Sequence, residues 1–91
     1  MTIWTLEFKE GALKELQKLD KPIQRQIFDY LQNRVVNSGD PRLFGKPLKG
    51  NLHEFWSYRI GNYRVVCSLE DEIYTVLAVR IAHRREVYDG I

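Results

Sequence analysis

Apolar and polar positions repeat with two different periods along this chain, and the switches between them mark its elements. Thr2-Ile-Trp-Thr-Leu-Glu-Phe8 is β-branched and aromatic, which predicts a strand. The period then lengthens. Ala12, Leu13, Leu16 and Leu19 recur at helical spacing while Lys14, Glu15 and Lys18 face outward, so the spacing predicts an amphipathic helix over about 10–19. Asp20 followed by Lys21-Pro22 pairs a capping residue with a first-turn proline and opens a second helix. That helix carries Ile23, Ile27, Tyr30, Leu31 and Val35 on one stripe and ends near Asn37-Ser38-Gly39. Two helices joined this tightly form an antiparallel hairpin.

Residues 38–52, with Asp40-Pro41, Gly45, Lys46-Pro47 and Gly50-Asn51, read as a long irregular connection of the kind that often carries function. Three strands follow, at about 53–60, 63–69 and 73–82, with Glu70-Asp71-Glu72 as an acidic turn between the last two. Gly61-Asn62 is a two-residue hairpin turn, and glycine in its first position suits type II′. Ile60 then pairs with Tyr63, and Arg59 with Arg64. Alternation puts Trp56, Tyr58, Ile60, Tyr63, Val65 and Cys67 on one apolar face, joined by Ile73, Thr75, Leu77, Val79 and Ile81. Arg59 and Arg64 share the other face with Tyr74, Val76, Ala78 and Arg80. Like charges directly opposite on a sheet are destabilising, so this rung points to an anion. The expected architecture is α+β, in the order β-α-α-β-β-β with a short C-terminal turn. A small antiparallel-rich sheet packs one face on a helical hairpin and leaves the other open and basic.

Composition narrows the classes. Ninety-one residues, 44% hydrophobic and 29% charged, suit a single domain over 1–91 with one modest core. No apolar run approaches the roughly 20 residues of a membrane span, and the N-terminus lacks the regions of a signal peptide. The lone cysteine, Cys67, precludes an internal disulfide framework and fits a reducing cytoplasm, the expected location. The net charge of +2 hides an asymmetry. Charges cancel over residues 1–41, whereas Arg42, Lys46, Lys49, Arg59 and Arg64 face Glu54 alone, and Arg80, Arg84 and Arg85 follow. Such a basic patch is the footprint of a polyanion partner.

The chemistry left to these residues is cationic and aromatic. His53 and His83 are the only histidines, and carboxylates do not cluster at ligand spacing, so no metal or other cofactor is expected. The set Arg59, Arg64, Arg80, His83, Arg84, Arg85 and Tyr88, with Lys46 and Lys49, suits metal-free cleavage of RNA. In that reaction a base takes the 2′-OH proton, arginines stabilise charge developing on the phosphoryl oxygens, and an acid protonates the departing 5′-oxygen. An aromatic such as Tyr88 can stack on an unstacked base. Structural roles stand beside these: Arg59 and Arg64 could pair with Glu54 or Glu86, His83 could be an ordinary strand-end residue, and Tyr88 could cover a sheet edge.

Three segments taken together resemble the RelE family of bacterial toxins, within the RelE/ParE superfamily of type II toxin–antitoxin systems. They are Lys46-Pro-Leu-Lys49-Gly-Asn-Leu, Trp56-Ser-Tyr-Arg59-Ile-Gly-Asn-Tyr63-Arg64-Val-Val and Ile81-Ala-His83-Arg84-Arg85-Glu-Val-Tyr88. The resemblance implies a fold of the microbial ribonuclease type and ribosome-dependent cleavage of mRNA. It also implies neutralisation by a co-expressed antitoxin that folds on binding, with operator DNA reached only through that antitoxin and no membrane partner. It places Arg64 at the scissile phosphate, Arg59 in proton transfer or charge stabilisation, Arg84 near the phosphate and Tyr88 at the substrate, with His83 at a position that is basic in related sequences. Arg42, Lys46, Lys49, Arg80 and Arg85 would contact RNA phosphates. One departure is Ser57, where some ribosome-dependent members carry a second basic residue. It keeps two alternatives open: a ParE-type toxin acting on DNA gyrase by protein contact, and a non-catalytic ribosome- or RNA-binding module.

Overall fold

The computed structural model describes residues 3–50 and 54–85, and the elements below lie within them. Strand β1 (Thr5–Phe8) leads into helix α1 (Glu10–Gln17) and helix α2 (Lys21–Asp29), and α2 continues as a π-helix over Tyr30–Val36. A 3-10 turn at Pro41–Leu43 precedes the two-residue strand β2 (Lys46–Pro47). Strands β3 (Phe55–Ile60), β4 (Tyr63–Glu70) and β5 (Thr75–His83) complete the sheet, with a 3-10 turn at Asp71–Ile73 between the last two. The five strands lie in the order β1-β5-β4-β3-β2.

The α+β architecture and the β3–β4 hairpin follow the pattern of the sequence. Ile60 pairs with Tyr63, Arg59 with Arg64 and Tyr58 with Val65. Gly61 has φ of +58°, while Asn62 does not enter positive φ, as a II′ turn requires. Four features go beyond the sequence reading or depart from it. β2 emerges from the segment expected to be irregular, because Lys46 and Pro47 pair with Ser57 and Trp56 on the outer edge of β3. β1 runs parallel to β5, the one parallel pairing of the sheet. The third departure is a bulge in β5 opposite Val66 and Cys67, where the register passes from Arg80 to Ala78 and leaves Val79 over. An extra residue reverses the faces, so Val76 and Ala78, not Leu77 and Val79, join Cys67 and Leu69 in the core.

The fourth departure is the π-helix. Asn37 N–H reaches Gln32 O five residues back, and the wider turn lets Val35 and Val36 both enter the core beside Leu31. Helix α1 buries Ala12 and Leu16 but leaves Leu13 at its rim. Asp20 occupies the cap position of α2, with Pro22 in the first turn, yet its carboxylate makes no capping bond. The joint between the helices is closed instead by Gln24 Nε2 donating to Leu19 O at 2.7 Å.

The resulting core sets Ala12, Leu16, Ile27, Leu31 and Val35 against Tyr58, Ile60, Val65, Cys67, Val76, Ala78 and Ile81. All of it lies on one face of the sheet. Arg59, Arg64 and Ser57 project from the other.

Candidate phosphate-binding cleft

The outward row of β3 alternates Phe55, Ser57 and Arg59, and the hairpin register sets Arg64 of β4 directly across from Arg59. On the other side of β3, β2 sets Lys46 across from Ser57. The chain then turns back, with Leu48 N–H donating to Phe55 O at 2.9 Å. The result is a cleft of about 500 Å³ lined by Phe44, Lys46, Pro47, Leu48, Lys49, Ser57, Arg59 and Arg64. Four of these residues are cationic and none is a carboxylate. Arg64 is held partly by its own strand, since Nη1 donates to Tyr63 O at 3.2 Å. The remaining walls are apolar (Phe44, Pro47 and Leu48), and Ser57 supplies a neutral hydroxyl between the charges.

Such a site has one evident chemistry. Guanidinium forks hold a phosphate by paired hydrogen bonds and stabilise added negative charge on its oxygens. Lysines supply further positive charge as mobile point donors. The apolar wall suits the face of an unstacked base.

The structure thus brings together Arg59, Arg64, Lys46 and Lys49 from three separate stretches of sequence. It places the other candidates differently. Arg42 is engaged by Asp71, its Nη1 and Nη2 donating to the two carboxylate oxygens at 2.9 and 2.8 Å, and its guanidinium lies 5.6 Å from the ring centre of Trp56. That hydrogen-bonded fork holds the Asp71 carboxyl below its ordinary range. Arg80 is on the outer face as expected but lies beside α1, with Nε 3.8 Å from Glu15 Oε2. His83 pairs with Tyr63 and therefore shares its face, while Ala82 is the partner of Arg64. The rings of His83 and Tyr63 meet edge-on at 5.8 Å, and His83 Nδ1 accepts from Arg85 N–H at 3.4 Å. Arg84 sits at the hairpin turn, its N–H donating to Asn62 O at 2.9 Å. Arg84 and Arg85 are both exposed. Tyr88, Glu86 and His53 lie outside the described residues.

Sequence reasoning missed the apolar wall. Phe44 and Leu48 were isolated in a stretch that otherwise reads as polar loop, and only the β2 pairing reveals that they face the cationic row. Among the described residues, no group of three or more His, Cys, Asp or Glu side chains stands together at metal-binding distance. No helix among them is long and apolar enough to cross a membrane. Burial pushes the Cys67 thiol and the Tyr58 phenol well above their ordinary ranges, so both remain protonated parts of the core.

Known proteins share this arrangement of strands and helices. A family model described as the ParE toxin of the type II toxin–antitoxin system parDE matches residues 6–88. Toxin RelG of Mycobacterium tuberculosis is 32% identical over 85 residues, covering 93% of this chain and 95% of RelG. Toxin RelE of the same organism is 32% identical over 77 residues, covering 85% of this chain and 77% of that toxin. A chain of the crystal structure of the toxin–antitoxin complex RelBE2 from M. tuberculosis superposes with a TM-score of 0.83 at 30% identity, covering 91% of this chain and 100% of that one. The span of the family model takes in both helices, every wall of the cationic cleft and the sheet apart from Thr5 at the start of β1. On that extent of sequence and fold together, the chain belongs to the RelE family of toxins of type II toxin–antitoxin systems, within the RelE/ParE superfamily.

Proposed function

We propose that this toxin is a metal-independent endoribonuclease that cuts mRNA on the ribosome. The observation that carries this reading is the cleft itself, where Lys46, Lys49, Arg59 and Arg64 converge with no carboxylate among the lining residues. In the reaction the message's 2′-oxygen bonds to the adjacent phosphorus, loses its proton to a base, and the bond to the 5′-oxygen breaks as that oxygen gains a proton. Arg59 and Arg64 grip the phosphate and stabilise the charge that builds on its free oxygens. Lys46 and Lys49 position the neighbouring phosphates, and Phe44 and Leu48 offer a surface to a displaced base. Ser57 is a poor base near neutral pH. The proton transfers are therefore assigned, by family resemblance, to Tyr88 of the C-terminal segment, with Arg84 near the phosphate. His83, which shares the face of Tyr63 and not that of Arg64, is the weaker candidate for this role.

The toxin–antitoxin complex RelBE2 supports a cognate antitoxin as the physiological partner; by family resemblance that antitoxin folds on the toxin, and operator DNA is reached only through it. The cytoplasm, where translation takes place, is the corresponding compartment. The test is a translating extract in which new 5′ ends on a reporter mRNA are mapped with the wild type and with Arg64→Ala. Wild type is expected to create ends within translated codons, and the variant to lose them by at least about 100-fold, the scale set by removing one transition-state donor. Equal cutting by the variant, or no new ends with either, would sink the proposal. A second reading rests on the ParE description of the matching family model, namely a toxin that acts on DNA gyrase by protein contact. It predicts inhibition in a supercoiling assay that survives Arg64→Ala.

A further inference from the structure

Arg42 was expected to meet RNA, but both of its terminal nitrogens are committed to one carboxylate. Its fork on Asp71 at 2.9 and 2.8 Å is the planar, two-point geometry in which guanidinium and carboxylate bind most specifically. The same guanidinium lies over Trp56, and Trp56 is the strand partner of Pro47 in β2. Asp71 sits in the turn between β4 and β5, so a single side chain ties that turn and β3 to the segment entering the cleft. That segment is fixed again just before and at Arg42. Asp40 Oδ1 accepts from Arg42 N–H at 3.2 Å, and buried Tyr58 donates its hydroxyl to Pro41 O at 2.8 Å. Four residues beyond Arg42 stands Lys46, and Lys49 follows it, the two cations of the cleft that do not belong to the hairpin.

We infer that the Arg42–Asp71 pair is a positioning clamp that sets where Lys46 and Lys49 stand relative to Arg59 and Arg64, and that Arg42 itself makes no RNA contact. This rests on the reading of the cleft as a phosphate site. It reverses the sign expected for Asp71. Were Arg42 an RNA contact, removing Asp71 would free a cation and delete a negative charge, and binding would tighten. A clamp loses its far anchor instead, and binding weakens although the protein has become more positive.

The experiment measures anisotropy of a labelled 12-nucleotide single-stranded RNA, 2′-O-methylated so that it cannot be cut, across a salt series. The proteins are wild type, Arg42→Ala, Asp71→Asn, the double variant, the charge swap Arg42→Asp/Asp71→Arg, and Arg64→Ala as the cleft control. Thermal melts of each protein accompany the binding curves. The expected result is that Arg42→Ala and Asp71→Asn each weaken binding on the order of fivefold, that the double variant is no worse than either, and that the swap recovers most of the loss. The salt dependence of Asp71→Asn is expected to flatten by up to about 1.4 in log–log slope, two phosphate contacts at about 0.7 each, although no lysine has been removed. A general loss of fold would lower the melting temperature without the swap's recovery. Asp71→Asn binding as tightly as wild type or more tightly, with Arg64→Ala still weakened, overturns the clamp and leaves the cleft standing. No binding by wild type, or no loss in Arg64→Ala, overturns the phosphate cleft and the clamp with it.

Discussion

Gly45 lies between Phe44 and Lys46 of the cleft wall and packs against Tyr58, and adding one methyl group there tests how that wall is supported. A Cβ at this position would stand 2.8 Å from Tyr58 Cε1, 3.0 Å from Tyr58 Cζ and 3.2 Å from Ser57 O. Gly45 does not occupy positive φ, so alanine is compatible with its backbone. By itself the change would stabilise the fold by about 0.4–1 kcal/mol through a less flexible unfolded chain. The contact works against it. Tyr58 is fully buried, its hydroxyl is tethered to Pro41 O, and the third neighbour is backbone, so no flexible end can swing aside. Forcing a methyl into such packing costs about 1–3 kcal/mol. At the middle of both ranges the net expectation is a loss of about 1.3 kcal/mol, which in a domain of this size lowers the melting temperature by about 5–10 °C. Calorimetry on Gly45→Ala reads this directly. Tyr58→Phe supplies the control, because it removes the tether at a cost of about 1–3 kcal/mol and lets the ring shift. On that background Gly45→Ala should cost less, by about 0.5 kcal/mol or more. A melting temperature for Gly45→Ala at or above that of wild type would refute the packing argument, and strict additivity in the cycle would refute the role of the tether.

Three further outcomes follow from other parts of the molecule. Glu15 Oε1 accepts from Ile81 N–H at 2.8 Å on the β5 edge beyond the last residue paired with β1, so Glu15→Ala should cost about 1–3 kcal/mol and speed hydrogen exchange at the Ile81 amide; unchanged exchange there would contradict this. The hydrogen-bonded fork of Arg42 lowers the Asp71 pKa below its ordinary value of 3.8, outweighing the raising effect of burial. A depressed carboxyl stabilises the fold above its unfolded-state pKa and loses that contribution as pH falls through the folded value. The advantage of wild type over Asp71→Asn in urea melts, about 0.2–1 kcal/mol for so exposed a pair, should hold from neutral pH to about 5 and shrink below about 4; an advantage that grows in acid would be fatal to the assignment. Cys67 is fully buried with its thiol pushed up by that burial, so a thiol reagent should label it only as fast as the sheet opens, and labelling of native protein at the rate of a free thiol would show the site to be wrongly placed.

The legible parts of this fold were those set by local periodicity. Gly61-Asn62 fixed the turn, the turn fixed the register, and the register put Arg59 opposite Arg64 with the apolar row behind them. The bulge at Val79 was not legible, because Val76, Leu77, Ala78 and Val79 are all apolar and either alternation fits them. Only the need to match Ile81 to Val65 and Val76 to Leu69 at once selects the extra residue. The π-helix was hidden for a related reason, since Ile27, Leu31 and Val35 satisfy an ordinary helical stripe and Val36 adds the wider turn without breaking it. In the cleft, charge alone grouped Lys46 and Lys49 with the arginines, but it did not show that Arg42 and Arg80 stand beside carboxylates. A cation's sequence position says nothing of which carboxylate will stand beside it. Asp71 lies 29 residues from Arg42, and Glu15 reaches Arg80 from the first helix.

The arginine rung also shows how this sheet tolerates a site that opposes its own stability. Two like charges facing each other cost about 0.2–1 kcal/mol. The rungs on either side bury Tyr58 and Val65 completely and Ile60 almost so, and each such side chain contributes about 1.5–3 kcal/mol. The apolar face therefore outweighs the repulsion several times over, and it does so through the same backbone that holds the arginines. Ser57 completes the arrangement. A further cation there would stand across from Lys46 and two residues from Arg59, adding repulsion to the resting sheet. A small neutral residue avoids that cost. Pro47 has no N–H to offer a further strand, and the chain turns away after it, which closes the ladder on the side of the cleft. The cationic row is thus rigid on the core side and unfilled on the solvent side. Its repulsion is relieved only when an anion enters, so binding and stability should rise together when one does.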